Sequence, residues 1–174
     1  MISNLARGLS IVVFALAAGG AAAQDESTNR VAANTDWSVF VENEPKECWS
    51  VSKPKETINT RGGRVVAVRR GDILLFVSYR PASNVSGEVA FTGGYPFKPD
   101  STVALTIGGQ TFQLFTEGEW AWAAPEDDAK IVAAMKRGAE AVAVAESSRG
   151  TRTEDKFSLL GFTAAVDDAA ARCK

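Results

Sequence analysis

The sequence predicts a mainly β fold: a β-sandwich or flattened barrel of about nine short strands, with two short helices in the C-terminal half. Three observations carry this expectation. Short runs of alternating or β-branched residues recur between Gly- and Pro-rich turns. The two-residue period gives way to helical spacing after Ala124. A second helical stripe closes the chain.

The elements follow in order. Residues 1–23 read as a secretory signal peptide, with Arg7 as the positive flank, an apolar run from Leu9 to Ala18, and small residues at Ala21, Ala22 and Ala23 for cleavage. That run falls short of the roughly 20 residues that span a bilayer, so no integral membrane span is expected. Residues 24–34 are small and polar and read as a flexible leader; residues 35–174 then form a single β-rich domain. Trp37, Val39 and Val41 alternate as a strand that ends at Pro45, and residues 48–52 form a second, stopped by Pro54. After the turn at Arg61-Gly62-Gly63, residues 64–70 and 73–80 read as a hairpin joined at Gly71-Asp72, with a strongly basic edge. Ile73–Tyr79 is apolar on consecutive positions, as in a central strand buried on both faces. Residues 87–92 form another strand, ended by Gly93-Gly94-Tyr95-Pro96.

Residues 102–107 and 111–115 flank Gly108-Gly109-Gln110, the clearest hairpin signal in the chain. Trp120 and Trp122 mark one more short strand. Pro125-Glu126-Asp127-Asp128 opens a helix and Lys136-Arg137-Gly138 closes it, in agreement with the helix dipole. Residues 141–145 and 153–159 pair about Ser148-Arg149-Gly150. The last helix runs from about Leu160 to Cys173, with Phe162, Ala165, Val166, Ala169 and Cys173 on one face.

Composition narrows the chemistry. The 174-residue chain carries a formal charge of −2 and no histidine. That excludes Ser-His-Asp and Cys-His catalysis and any His-ligated metal. No metal and no cofactor are expected, and the mild acidity argues against a nucleic-acid partner. The two cysteines, Cys48 and Cys173, would reach an oxidising compartment on export, where an even count favours a disulfide. Two unpaired buried thiols, or a bond between chains, are the alternatives.

Two groups of residues are candidate sites. Arg64, Arg69, Arg70 and Arg80, with Lys53, Lys55 and Arg61 nearby, could bind an anionic surface. The same charges could instead guard a sheet edge against aggregation. Trp120 and Trp122 could form an aromatic platform for a ligand. With Glu117 and Glu119 beside them they could also serve a carbohydrate-active or cell-wall enzyme. The competing reading is a solvated turn followed by core tryptophans. Arg70-Gly71-Asp72 is read as turn chemistry rather than an adhesive motif, and Asp127-Asp128 as a helix start rather than a calcium site.

The segments DWSVFVE, PKECW, VVAVRRGDILLFVSYRP, FTGGYPF and LFTEGEWAW occur in that order. DDAKIVAAMKRGAEAV, SSRGT and FSLLGFTAAV follow, before a terminal cysteine. Together they resemble the invasion-associated locus B family of exported bacterial proteins, from about Asp36 to Cys173. The resemblance implies a small β-rich domain without a catalytic centre, closed by a Cys48–Cys173 disulfide. The extra cysteine pair of many such proteins is missing here, and no active-site residue carries over. It further implies a non-catalytic protein of the periplasm, the outer-membrane surface or the medium. Such a protein would act as a monomer through a binding surface on an envelope or host-surface component.

Overall fold

The computed structural model of the chain describes residues 29–174. The signal-peptide reading of residues 1–23 and the first part of the leader lie outside these described residues. Within them the fold is mainly β, as the alternation predicts. The strands are β1 (Arg30–Asn34), β2 (Trp37–Asn43), β3 (Lys46–Ser52), β4 (Glu56–Arg61), β5 (Arg64–Val65), β6 (Leu74–Arg80), β7 (Val85–Thr92), β8 (Thr102–Ile107), β9 (Gln110–Glu117), β10 (Trp120–Trp122), β11 (Glu140–Glu146) and β12 (Arg152–Ser158). Helix α1 (Pro125–Arg137) lies between β10 and β11, and α2 (Phe162–Arg172) ends the chain.

The strands form one antiparallel twelve-stranded sheet in the order β1-β2-β3-β6-β7-β10-β9-β8-β11-β12-β4-β5, which does not close. It curls back on itself. Phe91 of β7 meets Phe157 of β12 edge-on, with ring centroids 6.1 Å apart, although four strands separate them in the sheet order. Near the first edge, the Trp37 Nε1–H donates to the Ser158 carbonyl at 2.9 Å and the Asp36 N–H to that of Leu160 at 3.2 Å. The result is a flattened, open barrel.

The strand count exceeds the expected nine because three strands lack a strong apolar pattern. β1 (RVAAN) is built of small and polar residues from the stretch read as a leader, and it pairs with β2. β4 (ETINTR) buries neither face fully, so no alternation marks it. It pairs with β12 and with the two-residue β5 about Gly62-Gly63. The hairpin expected between residues 64–70 and 73–80 does not form. β6 pairs instead with β3 and β7, and residues 66–73 cross between the two parts of the sheet without strand pairing. Tertiary contacts override the β-branched run. Arg70 is drawn onto Asp155, and the Gly71 N–H donates to the Gly94 carbonyl at 2.8 Å. A Cβ on Gly94 would lie 2.6 Å from the Gly71 backbone, so this crossing needs glycine.

The inward face carries the core, including Trp37, Val39, Leu75, Val77, Phe91, Leu105 and Phe157. Helix α1 packs on β7, where Asp128 Oδ1 accepts the Val89 N–H at 2.9 Å. Helix α2 turns Phe162, Ala165, Val166 and Ala169 inward, the face expected from the sequence. Its Phe162 ring meets Trp37 edge-on at 4.8 Å. At its start Gly161 adopts φ +87°, and a Cβ there would overlap the Asn34 carbonyl of β1. Cys173, at the end of α2, is disulfide-bonded to Cys48 on β3, with Cα atoms 5.8 Å apart. The alternatives of free thiols and of a bond between chains are thereby set aside. No helix among the described residues is long and apolar enough to cross a membrane.

Candidate functional site

The four arginines read as one basic surface are not brought together. Arg64 is exposed on the edge strand β5. Arg69 is exposed in the crossing segment. Arg80, at the end of β6, pairs with Glu88 of β7 at 2.6 Å. Arg70 turns inward. Its Nη1 and Nη2 donate to the two carboxylate oxygens of Asp155 at 2.7 and 2.6 Å, its Nε donates to the Gly93 carbonyl at 2.8 Å, and Nη1 also reaches Asn59 Oδ1 at 3.2 Å. The two side chains are only 6% and 0% exposed. Burial pushes the Asp155 carboxyl above its usual range, against the pull of the guanidinium. The same guanidinium lies 4.9 Å from the centroid of the Tyr95 ring. Tyr95 Oη in turn shares a hydrogen bond with Thr153, and burial raises its phenol. Arg70 is therefore a structural pin between the crossing segment, β4 and β12. No sequence signal marked Asp155, which sits in the charged run Thr153-Glu154-Asp155-Lys156; only its inward parity, shared with Phe157, could have done so.

The tryptophans are not core residues. On β10 only Ala121 faces inward, while Trp120 and Trp122 stand on the outer face, their rings stacked at 6.3 Å. Four more rings extend that face. Phe115 of β9 stacks on Trp122 at 5.8 Å, and Phe76 of β6 meets Trp120 at 5.5 Å. Trp49 of β3 stacks on Phe40 of β2 at 5.6 Å. On β7, between β6 and β10, the outward residue opposite both Phe76 and Trp122 is the small Ala90. A groove of ≈330 Å³ follows, walled by Trp49, Phe76, Trp120 and Trp122 and rimmed by Glu47, Ser78, Arg80 and Glu88. Trp120 and Phe115 remain 40% and 51% exposed. β6 is central, as expected, and its second face is half covered by this aromatic row. Sequence reasoning found only the two tryptophans. The other four rings occupy alternate positions beside inward residues, Phe40 next to Val39 and Trp49 next to Cys48, so strand parity was the signal for them.

Glu117 ends β9 and Glu119 sits in the turn to β10; both are exposed. Glu119 borders a second cleft on the Arg70 side of the molecule, and no other carboxylate among the described residues lines that cleft with it. Proton transfer between paired acids has no second partner there.

An open antiparallel barrel with an inserted helix and a partly exposed aromatic face defines a small β-domain, and its long-range disulfide is consistent with an oxidising, extracytoplasmic compartment. A model of the invasion associated locus B (IalB) protein family matches residues 37–170, and the chain belongs to that family. The crystal structure of invasion associated protein b from Bartonella henselae is similar in fold: TM-score 0.56 and 16% sequence identity, over 80% of this chain and 95% of that one. Comparison with curated protein sequences gives no match.

Proposed function

We propose that this IalB-family protein is an exported, non-catalytic binding protein of the bacterial envelope. It acts as a monomer through the aromatic outer face of β2, β3, β6, β10 and β9. The observation that carries the reading is the row of six rings with the Ala90 groove across it. Uncovered apolar area of this kind marks a contact surface. The rim supports one kind of partner chemistry. Arg80 and Glu88 already neutralise one another, which leaves the Glu47 carboxylate and the Ser78 hydroxyl as hydrogen-bonding groups on the rim. Flat apolar rings flanked by a hydroxyl and a carboxylate acceptor suit a hydroxyl-rich partner without negative charge, such as a neutral glycan chain. Extraction of the Cys48–Cys173 bond from an oxidising compartment, with residues 1–23 removed, belongs to the same reading.

The test is titration of the purified protein with soluble fragments of envelope polysaccharide, read by tryptophan fluorescence and calorimetry. Trp120→Ala with Trp122→Ala should weaken binding by about tenfold or more while the thermal midpoint holds. Wild-type affinity in that double variant, or no binding by the wild type, refutes the proposal.

A further inference from the structure

A different surface carries an unmatched positive charge. The second cleft, of ≈480 Å³, is walled by guanidinium groups from three segments, two of them close in sequence and one remote. Arg61 comes from the end of β4, Arg69 and Arg70 from the crossing segment, and Arg149 from the turn between β11 and β12. The fold brings Arg149 to the three arginines of the basic stretch in the first half of the chain.

Their partners are unequal. Arg70 is neutralised by Asp155 beneath the cleft. Arg61 donates only to a neutral group, the Thr151 hydroxyl, at 2.7 Å. Arg69 and Arg149 have no side-chain hydrogen bond or ion pair among the described residues. Against these three free charges the described residues of the walls carry one carboxylate, Glu119, which forms no ion pair among them either. Gathering like charges about a recess costs free energy that a bound anion would recover. The chain as a whole is negative, at −2, so the cluster does not reflect general basicity.

The donor chemistry narrows the ligand. All four cations on the walls are arginines and none is lysine. The guanidinium fork matches phosphoryl and carboxylate oxygens in a bidentate manner. Three separate forks exceed what one carboxylate can accept but suit the three terminal oxygens of a phosphate monoester. The buried Ser147 hydroxyl adds a donor: its oxygen accepts the N–H groups of Arg149 and Thr151 at 3.3 and 3.1 Å, and its proton is left without an acceptor among the described residues. Glu119, on the opposite charge logic, is an acceptor for sugar hydroxyls. The volume is that of a small-molecule site.

We infer that this cleft binds a phosphorylated saccharide, with the phosphoryl group held by Arg61, Arg69 and Arg149 and the sugar hydroxyls turned to Glu119. The phosphate can belong to a free sugar phosphate or to the headgroup of a phosphorylated glycolipid.

Calorimetry of the full folded protein with glucose 6-phosphate, glucose and inorganic phosphate tests the free ligand. Co-sedimentation with phosphatidylcholine vesicles, with and without a phosphorylated disaccharide glycolipid, tests the membrane-borne one. Binding in either arm supports the inference and identifies the source, provided that Arg69→Ala with Arg149→Ala weakens it by about tenfold or more. These two side chains make no hydrogen bond or ion pair among the described residues, so the thermal midpoint should hold. Arg64→Ala, an exposed cation outside the cleft walls, should leave binding unchanged. Absence of binding in both arms overturns the inference. So does binding that survives the double substitution, that falls equally with Arg64→Ala, or that is as strong for glucose as for its phosphate.

Discussion

Asp155 lies on the inward face of β12 between the buried Thr153 and Phe157, and a carboxylate there is tolerable only while Arg70 answers it. Replacing one member of such a pair leaves the other buried and uncompensated, which costs about 3–5 kcal/mol. Asp155→Asn should therefore lower the urea midpoint sharply. Arg70→Met with Asp155→Leu, which removes both charges, should recover most of the loss; wild-type stability in Asp155→Asn alone would show that the pin carries no weight. Asp128 presents the opposite case, a half-buried acid with no cation. Burial, with Glu88 and Asp127 adding repulsion, raises its carboxyl from the ordinary 3.8 to about 6, although the Val89 N–H pulls it back. The folded state thus holds this proton more tightly than the unfolded state. Its contribution to stability is complete below about pH 4 and is lost as the pH rises through about 6. Asp128→Asn keeps an oxygen for the Val89 N–H and removes the charge. It should flatten the dependence of the urea midpoint on pH between about 4 and 7 and exceed the wild type at the upper end; parallel curves for the two proteins would contradict this. Neither residue was legible as special from sequence. Asp155 looks solvated among Glu154 and Lys156, and Asp128 looks like ordinary helix-start chemistry.

Elements with local signals came through well. Helix α1 begins at Pro125 and ends at Arg137, where its own residues place it, and α2 buries the predicted stripe. The β8–β9 and β11–β12 hairpins follow their alternation. What failed was the segment 64–73, where a β-branched run promised a strand and long-range contacts of Arg70 and Gly71 imposed a crossing. α2 is also the element most dependent on a covalent tie. The Cys48–Cys173 bond closes a loop of 125 residues and should remove about 4–5 kcal/mol of unfolded-state entropy, by chain-entropy reasoning. Cys48→Ser with Cys173→Ser should lose about 2–5 kcal/mol of stability, with the earliest rise in amide exchange along α2. Unaltered α2 protection in the reduced or substituted protein would show that packing on Trp37 alone holds the helix.

At the scale of the whole molecule, sequence reading reached the fold class but not the sheet order. The strand order is five pieces contiguous in sequence, β1-β2-β3, β6-β7, β10-β9-β8, β11-β12 and β4-β5. Hairpin signals speak to pairing within each piece. The joins β3–β6, β7–β10, β8–β11 and β12–β4 rest on tertiary contacts that no short window contains. Both candidate surfaces arise from those joins, which is why Trp120 and Trp122 were noticed while the four rings around them were not, and why Arg149 was not grouped with Arg69. The sulfur bridge has a mechanical consequence. A load applied between the two chain ends runs through Cys48 straight to Cys173 and bypasses the 125-residue loop. Tension can unravel β1, β2 and the start of β3, but the rest of the barrel stays slack, shielded from any pull on its termini.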